Sequence, residues 1–177
     1  FSIAVLSLLN SCYYDNMEDI EERLSKIKEL SRKYRCTADQ LVDVTQNYQE
    51  KITELATLLN KEYEGKRPLF LSILNGSFLF TADLFKQITI EAEVCFIKLA
   101  SYKGTTSTGN VITAIGLDAN VRDRHIIIIE DIIDTGKTLH HYLPQLETQQ
   151  PASIKIAVLL NKKEALAFPV KVDYSCF

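Results

Sequence analysis

The sequence predicts an α/β domain with a mostly parallel central sheet flanked by helices. Three observations carry this. Short apolar runs at 69–74, 94–99, 126–129 and 154–160 are too brief for helices. They suit strands buried on both faces, as in a parallel sheet. Helical patterns alternate with them, which is the order that builds such sheets. The third observation is the stretch 125–139, HIIIIEDIIDTGKTL, in which an isoleucine run meets carboxylates, a small-residue turn and a helix start. Ligands of open α/β sheets bind beyond the carboxyl ends of strands, and helix starts offer unpaired N–H groups to anions.

The bulk properties agree. A chain of 177 residues, 46% hydrophobic and 24% charged, can bury one sizeable core. A net charge of −3 gives no basic footprint for nucleic acid. Cys12, Cys36, Cys95 and Cys176 are scattered without metal-ligand spacing, so reduced thiols are expected rather than a disulfide framework or a zinc site.

Taken in order, residues 1–9 are apolar but too few to span a bilayer. Leu9-Asn10-Ser11-Cys12 loosely resembles a lipoprotein cleavage box, but no basic region precedes it, so an upstream or fragment sequence is expected instead of an export signal. Residues 17–33 read as an amphipathic helix with Ile20, Leu24, Ile27, Leu30 and Tyr34 on one face, lying on the domain or on a partner. Thr37-Ala38-Asp39-Gln40 has capping-box form and opens a second helix that ends near Glu64. Strand 69–74 leads through Asn75-Gly76-Ser77 into a helix at 78–88. Residues 101–110, SYKGTTSTGN, read either as a solvated hairpin loop or as a lid hinged at Gly104 and Gly109, before a returning strand at 111–117. A helix from Lys137 to about Glu147, a strand at 154–160 and a short strand at 170–174 complete the pattern.

The acids of the central stretch admit several chemistries. Gly136-Lys137-Thr138 is not the end of a P-loop, because that motif needs glycine at position 131, which is Asp. Glu130 and Asp131 could hold Mg²⁺ through hard oxygen ligands. They could equally accept hydrogen bonds from neighbouring sugar hydroxyls, with Thr135, Thr138 and local N–H groups holding a phosphate on the same sugar. The second alternative accounts for the whole segment. Three acids within five residues also repel one another unless a ligand, metal or donor array compensates.

Residues 128–138, IIEDIIDTGKT, resemble the phosphoribosyl-diphosphate (PRPP) signature of type I phosphoribosyltransferases, most of all the hypoxanthine-guanine members. Other landmarks follow in the family's order. Leu74, Asn75 and Gly76 resemble its pyrophosphate-binding turn, and Ser101 and Tyr102 open a segment like its mobile lid. Lys162 matches the lysine that contacts the purine 6-oxo group, Tyr174 the aromatic that stacks on the base, and Ser175 the residue whose backbone meets it. The likeness covers 37–177 as one phosphoribosyltransferase domain and leaves 1–36 as an N-terminal extension.

The resemblance implies purine salvage: PRPP plus hypoxanthine or guanine gives IMP or GMP plus pyrophosphate, with Mg²⁺. It implies that Glu130 and Asp131 hold the ribose hydroxyls and also face the metal, directly or through water. Asp134, Thr135, Gly136, Lys137 and Thr138 would cradle the 5′-phosphate, and Asp134 would take the proton from purine N7. Lys162 would favour 6-oxopurines, since the 6-amino group of adenine offers no such acceptor; without its family position it would read as an ordinary surface lysine. The family also implies a cytoplasmic homo-oligomer, with no nucleic-acid or membrane partner. Two departures stand out. Asn75 replaces a lysine common in the family, and relatives continue beyond this chain's end with an Ile-Pro-Asp or Ile-Pro-Asn segment and a stretch that builds much of the hood. An incomplete hood is therefore expected; were these 177 residues the whole molecule, PRPP binding would be retained and turnover impaired. A PRPP-sensing nucleic-acid-binding regulator, or a fragment that binds PRPP without turnover, are the alternative functions.

Overall fold

The computed structural model describes residues 17–102 and 111–177. They fall into two compact units divided between residues 51 and 52, within the second helix. In the first unit, α1 (Met17–Tyr34) precedes α2 (Gln40–Glu62). The capping box forms as expected: Thr37 N donates to Gln40 Oε1 at 2.9 Å, and Gln40 N to Thr37 Oγ1 at 3.4 Å. The apolar stripe of α1 is buried only towards its C-terminal end. Leu30 packs with Leu41 among Ile27, Tyr34 and Cys36, whereas Ile20 and Leu24 are exposed.

The second unit is built on one sheet of order β3-β2-β1-β4-β5-β6. Its strands are β1 (Leu69–Ile73), β2 (Glu93–Tyr102), β3 (Val111–Ile115), β4 (His125–Ile133), β5 (Ser153–Asn161) and β6 (Tyr174–Ser175). All pairings are parallel except β2 with β3. Helix α3 (Phe78–Phe85) follows β1, and α4 (Lys137–Glu147) follows β4. The four isoleucines of β4, Ile126 to Ile129, are fully buried, because both faces of this central strand are covered. Each such burial is worth about 1.5–3 kcal/mol. On one face Ile126, Ile128, Ile156 and Val158 pack with Leu139, Tyr142 and Leu146 of α4. On the other, Phe70 meets Phe85 edge to face, and Tyr63 at the end of α2 meets His125.

Several boundaries differ from the sequence reading. β4 continues to Ile133 because Glu130, Ile132 and Ile133 remain paired with Val158, Leu160 and Asn161; ladder bonding, not side-chain polarity, sets its end. β2 reaches Tyr102 because Lys98 to Tyr102 pair with β3. α3 is three residues shorter than expected, ending at Phe85. The last strand is confined to Tyr174–Ser175 instead of 170–174.

The topology places the site. From β1 the chain passes to β2 on one side, while β4 lies on the other. The carboxyl ends of β1 and β4 therefore flank a topological switch point, where α/β sheets bind ligands.

Candidate active site

Two turns meet at that switch point. After β1, Leu74 to Ser77 form a turn whose Leu74–Asn75 peptide is cis. Its shape is fixed from beneath by buried hydroxyls. Ser77 Oγ donates to Ile73 O at 2.5 Å, and Ser72 Oγ lies 2.8 Å from Ser77 Oγ and 2.7 Å from Thr81 Oγ1. Asn75 and Gly76 are exposed above this network. Gly76 has no room for a side chain, since a Cβ there would land on the Asp131 carboxylate.

After β4, Asp134, Thr135 and Gly136 turn into α4. Gly136 occupies the N-cap at φ 76°, a left-handed conformation that favours glycine, and offers no side-chain cap. A Cβ there would also meet Phe168 O at 2.9 Å. Lys137 N makes a long 3.4 Å bond to Thr135 Oγ1, and Gly136 caps none of the other first N–H groups of α4, so this helix start can meet an anion. Asp134, Thr135, Lys137 and Thr138 are all exposed, and they line a cleft of about 140 Å³ with Glu130, Ile132, Ile133, Gly136 and Leu139.

The paired acids separate. Successive residues of a strand point to opposite faces. Glu130 turns into the cleft on the α4 side, while Asp131 turns to Gly76 on the α3 side. Glu130 Oε2 is buried without a hydrogen-bond partner. Burial, and next the Asp131 charge, push its carboxyl up to about 8. A buried polar atom without a partner is costly unless something completes it, so Glu130 is a candidate ligand contact.

Lys162 begins the turn after β5, and its backbone N donates to Ile133 O at 3.0 Å. Its ammonium lies 3.6 Å from Asp134 Oδ1; both side chains are more than half exposed, so the pair is weak. A larger pocket of about 480 Å³ lies beside it, lined by Asn161, Lys162, Lys163, Glu164, Ala165, Ser175 and Phe177. Its size suits a small planar ligand.

Tyr174 is not among those lining residues. It pairs with Ala157 and Ser175 with Val158, so the two side chains take opposite faces of the sheet. Tyr174 faces the end of α2, where its hydroxyl donates to Glu62 and accepts from Lys155 Nζ at 3.2 Å. Ser175 lies on the other face, in the pocket wall that also holds Lys162. For Ser101 and Tyr102 only the backbone is described, paired with Ile112 and Val111, and residues 103–110 of the expected lid lie outside the described residues.

Sequence reasoning missed the Ser72, Ser77 and Thr81 network, the Gly76–Asp131 contact and the partners of Tyr174. It also missed a brace on the α4 loop: Thr135 O accepts from both Ala167 N (3.1 Å) and Phe168 N (3.0 Å). Phe168 then packs against His140 and His141, with ring centroids 5.4 and 5.7 Å away. Among the described residues no cluster of three or more metal-binding side chains occurs. With Glu130 and Asp131 on opposite faces, the protein offers single carboxylates rather than a cage. That donor set fits a Mg²⁺ that brings substrate oxygens with it.

The comparisons with known proteins agree with this geometry. Residues 38–177 match the model of the phosphoribosyl transferase domain. The chain is similar to the hypoxanthine-guanine phosphoribosyltransferase of Lactococcus lactis, 47% identical over 129 residues that cover 72% of this chain and 70% of that protein. It is similar to the hypoxanthine-guanine-xanthine phosphoribosyltransferase of Tritrichomonas foetus, 39% identical over 130 residues covering 73% and 71%. Among solved structures, the hypoxanthine phosphoribosyltransferase of Staphylococcus aureus superposes with a TM-score of 0.67 at 30% identity, covering 74% of this chain and 72% of that one. With its switch-point cleft, its glycine-capped helix start and these relatives, the chain belongs to the type I phosphoribosyltransferase family and is most like its hypoxanthine-guanine branch.

Proposed function

We infer that the protein is a purine-salvage enzyme that transfers the 5-phosphoribosyl group of PRPP to hypoxanthine or guanine, giving IMP or GMP and pyrophosphate. One observation carries this reading: the cleft after β4, where a partnerless buried acid and a helix start with a glycine N-cap share walls, with Lys162 3.6 Å from Asp134.

In this reading the Asp134–Thr138 loop holds the 5′-phosphate on the first N–H groups of α4 and on the exposed Thr135 and Thr138 hydroxyls. Glu130 and Asp131 take the ribose hydroxyls from the two faces of β4, and a ribose O–H supplies the donor that Glu130 Oε2 lacks. Leu74, Asn75 and Gly76 hold the pyrophosphate with backbone donors, and the segment opened by Ser101 and Tyr102 closes over it. Lys162 donates to the 6-oxo group of the base, beside the Ser175 backbone, and Asp134 accepts the N7 proton. The base must enter between Asp134 and Lys162 and take each as its own partner. Mg²⁺ is the cofactor of this reading; it neutralises the diphosphate, with Glu130 or Asp131 as protein ligands directly or through water. Leaving-group departure makes the ribose oxocarbenium-like, so positioning and charge stabilisation dominate over covalent catalysis.

A cytoplasmic homo-oligomer belongs to the same reading. Cys36, Cys95 and Cys176 are reduced thiols, which suits such a compartment. No helix among the described residues is long and apolar enough to cross a membrane. The test is an assay with Mg²⁺, PRPP and each of hypoxanthine, guanine, xanthine and adenine. IMP and GMP should form and AMP should not, and the xanthine arm sets the breadth of specificity. A chain that makes no nucleotide, or prefers adenine, overturns the reading.

A further inference from the structure

After β5 the chain leaves the sheet at Lys162 and rejoins it at β6, and residues 162–173 belong to no strand. This segment runs across the start of α4. Its backbone meets β4 and the turn behind it. Lys162 N donates to Ile133 O at 3.0 Å, and Ala167 N and Phe168 N donate to Thr135 O at 3.1 and 3.0 Å. Leu166 and Val170 pack their side chains against Gly136 and the core. Lys163, Glu164, Ala165, Ala167 and Pro169 are exposed. The half-buried Phe168 instead reaches back onto the helix. Its ring centroid lies 5.4 Å from that of His140 and 5.7 Å from that of His141, at interplanar angles of 40° and 56°. The two imidazoles lie 5.4 Å apart at 67°, so the three rings close a triangle of tilted contacts at favourable aromatic spacing. His140 Nδ1 adds a bond of 3.3 Å to Pro169 O. His140 N in turn donates to Gly136 O at 2.9 Å, which ties the same residue to the helix start. Phe168 lines neither the cleft after β4 nor the pocket beside Lys162.

We propose that Phe168, clasped by His140 and His141, is a positioning residue for the α4 start: it holds the Asp134–Gly136 turn in the shape that receives a sugar phosphate. It acts through Thr135 O. With the ring seated on the helix, both donors stay on that carbonyl, which fixes the Thr135 peptide and keeps Gly136 in its left-handed N-cap beside the cleft. Without the ring, the segment keeps the packing of Leu166 and Val170 but loses the contact that stops residues 167–169 lifting from the helix. This rests on the reading that the α4 start takes the 5′-phosphate of PRPP.

Two probes separate this role from a general loss of structure. Ribose 5-phosphate carries the sugar phosphate without the pyrophosphate, and Mg²⁺–pyrophosphate is the reverse. In calorimetry on this chain, Phe168→Ala should weaken ribose 5-phosphate about 3–10-fold, the worth of one or two aromatic contacts. Mg²⁺–pyrophosphate, held by the turn after β1, should stay within about twofold. His140→Ala/His141→Ala should reproduce the loss from the other side of the contact, and alanine keeps the helix. Adding Phe168→Ala to that pair should lose no more than the worse parent, since both remove one clasp. Phe168→Tyr keeps the ring and should bind as the wild type does. Equal binding of ribose 5-phosphate by wild type and Phe168→Ala overturns the proposal. So does an equal loss of both probes, an additive triple variant, or a Phe168→Tyr as weak as Phe168→Ala. The histidine pair decides the matter if Phe168→Ala does not fold. A second readout needs no ligand. In the histidine pair variant, amide exchange at Ala167 and Phe168 should quicken several-fold while Leu146, at the far end of α4, stays as it was; unchanged exchange at 167 and 168 overturns the clasp. A wild-type chain that binds no ribose 5-phosphate removes the phosphate reading and this proposal with it, whereas binding that Phe168→Ala leaves intact removes the proposal alone.

Discussion

The two turns at the switch point are built from similar residues and put them to opposite uses. Below the turn after β1, the hydroxyls of Ser72, Ser77 and Thr81 are buried and spent on one another and on Ile73 O. In the turn after β4, Thr135 and Thr138 are exposed, and the one bond either hydroxyl makes among the described residues is a long one, accepted by Thr135 Oγ1 from Lys137 N at 3.4 Å. The first turn is a rigid wall whose side-chain polarity is already satisfied. The second leaves its side chains exposed and takes its shape from backbone bonds to 167–168. Small polar residues near a strand end do not by themselves mark a binding loop; their burial decides which kind it is.

Substitutions can break this contrast or sharpen it. The largest expected effect is in the β4 turn. Asp134→Asn should slow nucleotide formation roughly 10²–10⁴-fold, as loss of a general base does, while calorimetry still finds PRPP bound. Normal turnover in that variant removes Asp134 as the base. Next comes Glu130. Its folded-state carboxyl titrates at about 8 against an ordinary value of 4.5, so the folded protein holds a proton that the unfolded chain has released. Wild-type stability without ligand should therefore fall as pH rises from about 4.5 to about 8, and level off above that. Glu130→Gln has no such proton to lose. In urea unfolding, its stability relative to wild type should improve between pH 5 and pH 9 by on the order of a few kcal/mol. An equal difference at both pH values contradicts the buried acid. The smallest effects form a matched pair. Ser72→Ala should lower stability by about 1–3 kcal/mol, by stripping partners from buried Ser77 and Thr81, and leave PRPP affinity alone. Thr138→Ala should do the reverse, weakening PRPP about 5-fold with an unchanged Tm. If Ser72→Ala weakens PRPP as much as Thr138→Ala does, the two turns are not distinct in kind.

Much of the fold was legible because the signals were local. The Ile126–Ile129 run, the Thr37 capping box and the alternation of strands and helices each depend on neighbours in sequence, and each appears where expected. The PRPP-like segment was equally plain, since one continuous stretch supplies the acids, the turn and the helix start. What escaped depends on pairing between distant segments. The extension of β4 through two acids is set by β5, and that of β2 by β3. The partners of Tyr174 lie 19 and 112 positions away. Strand alternation puts the side chains of Tyr174 and Ser175, and those of Glu130 and Asp131, on opposite faces.

The double acceptance by Thr135 O has a consequence for how such a protein can vary. The segment after Lys162 supplies Ala167 N and Phe168 N to that carbonyl, while Phe168 O and the Leu166 and Val170 side chains crowd Gly136. Adding or deleting a residue between 162 and 168 would shift both donors off the carbonyl and disturb the Asp134–Gly136 turn along with the pocket beside Lys162. Base preference can therefore drift by exchanging side chains at fixed length, as at Lys163, Glu164 and Ala165, which are exposed in the pocket wall. The shared carbonyl makes this stretch a fixed-length spacer, free in composition and closed to indels.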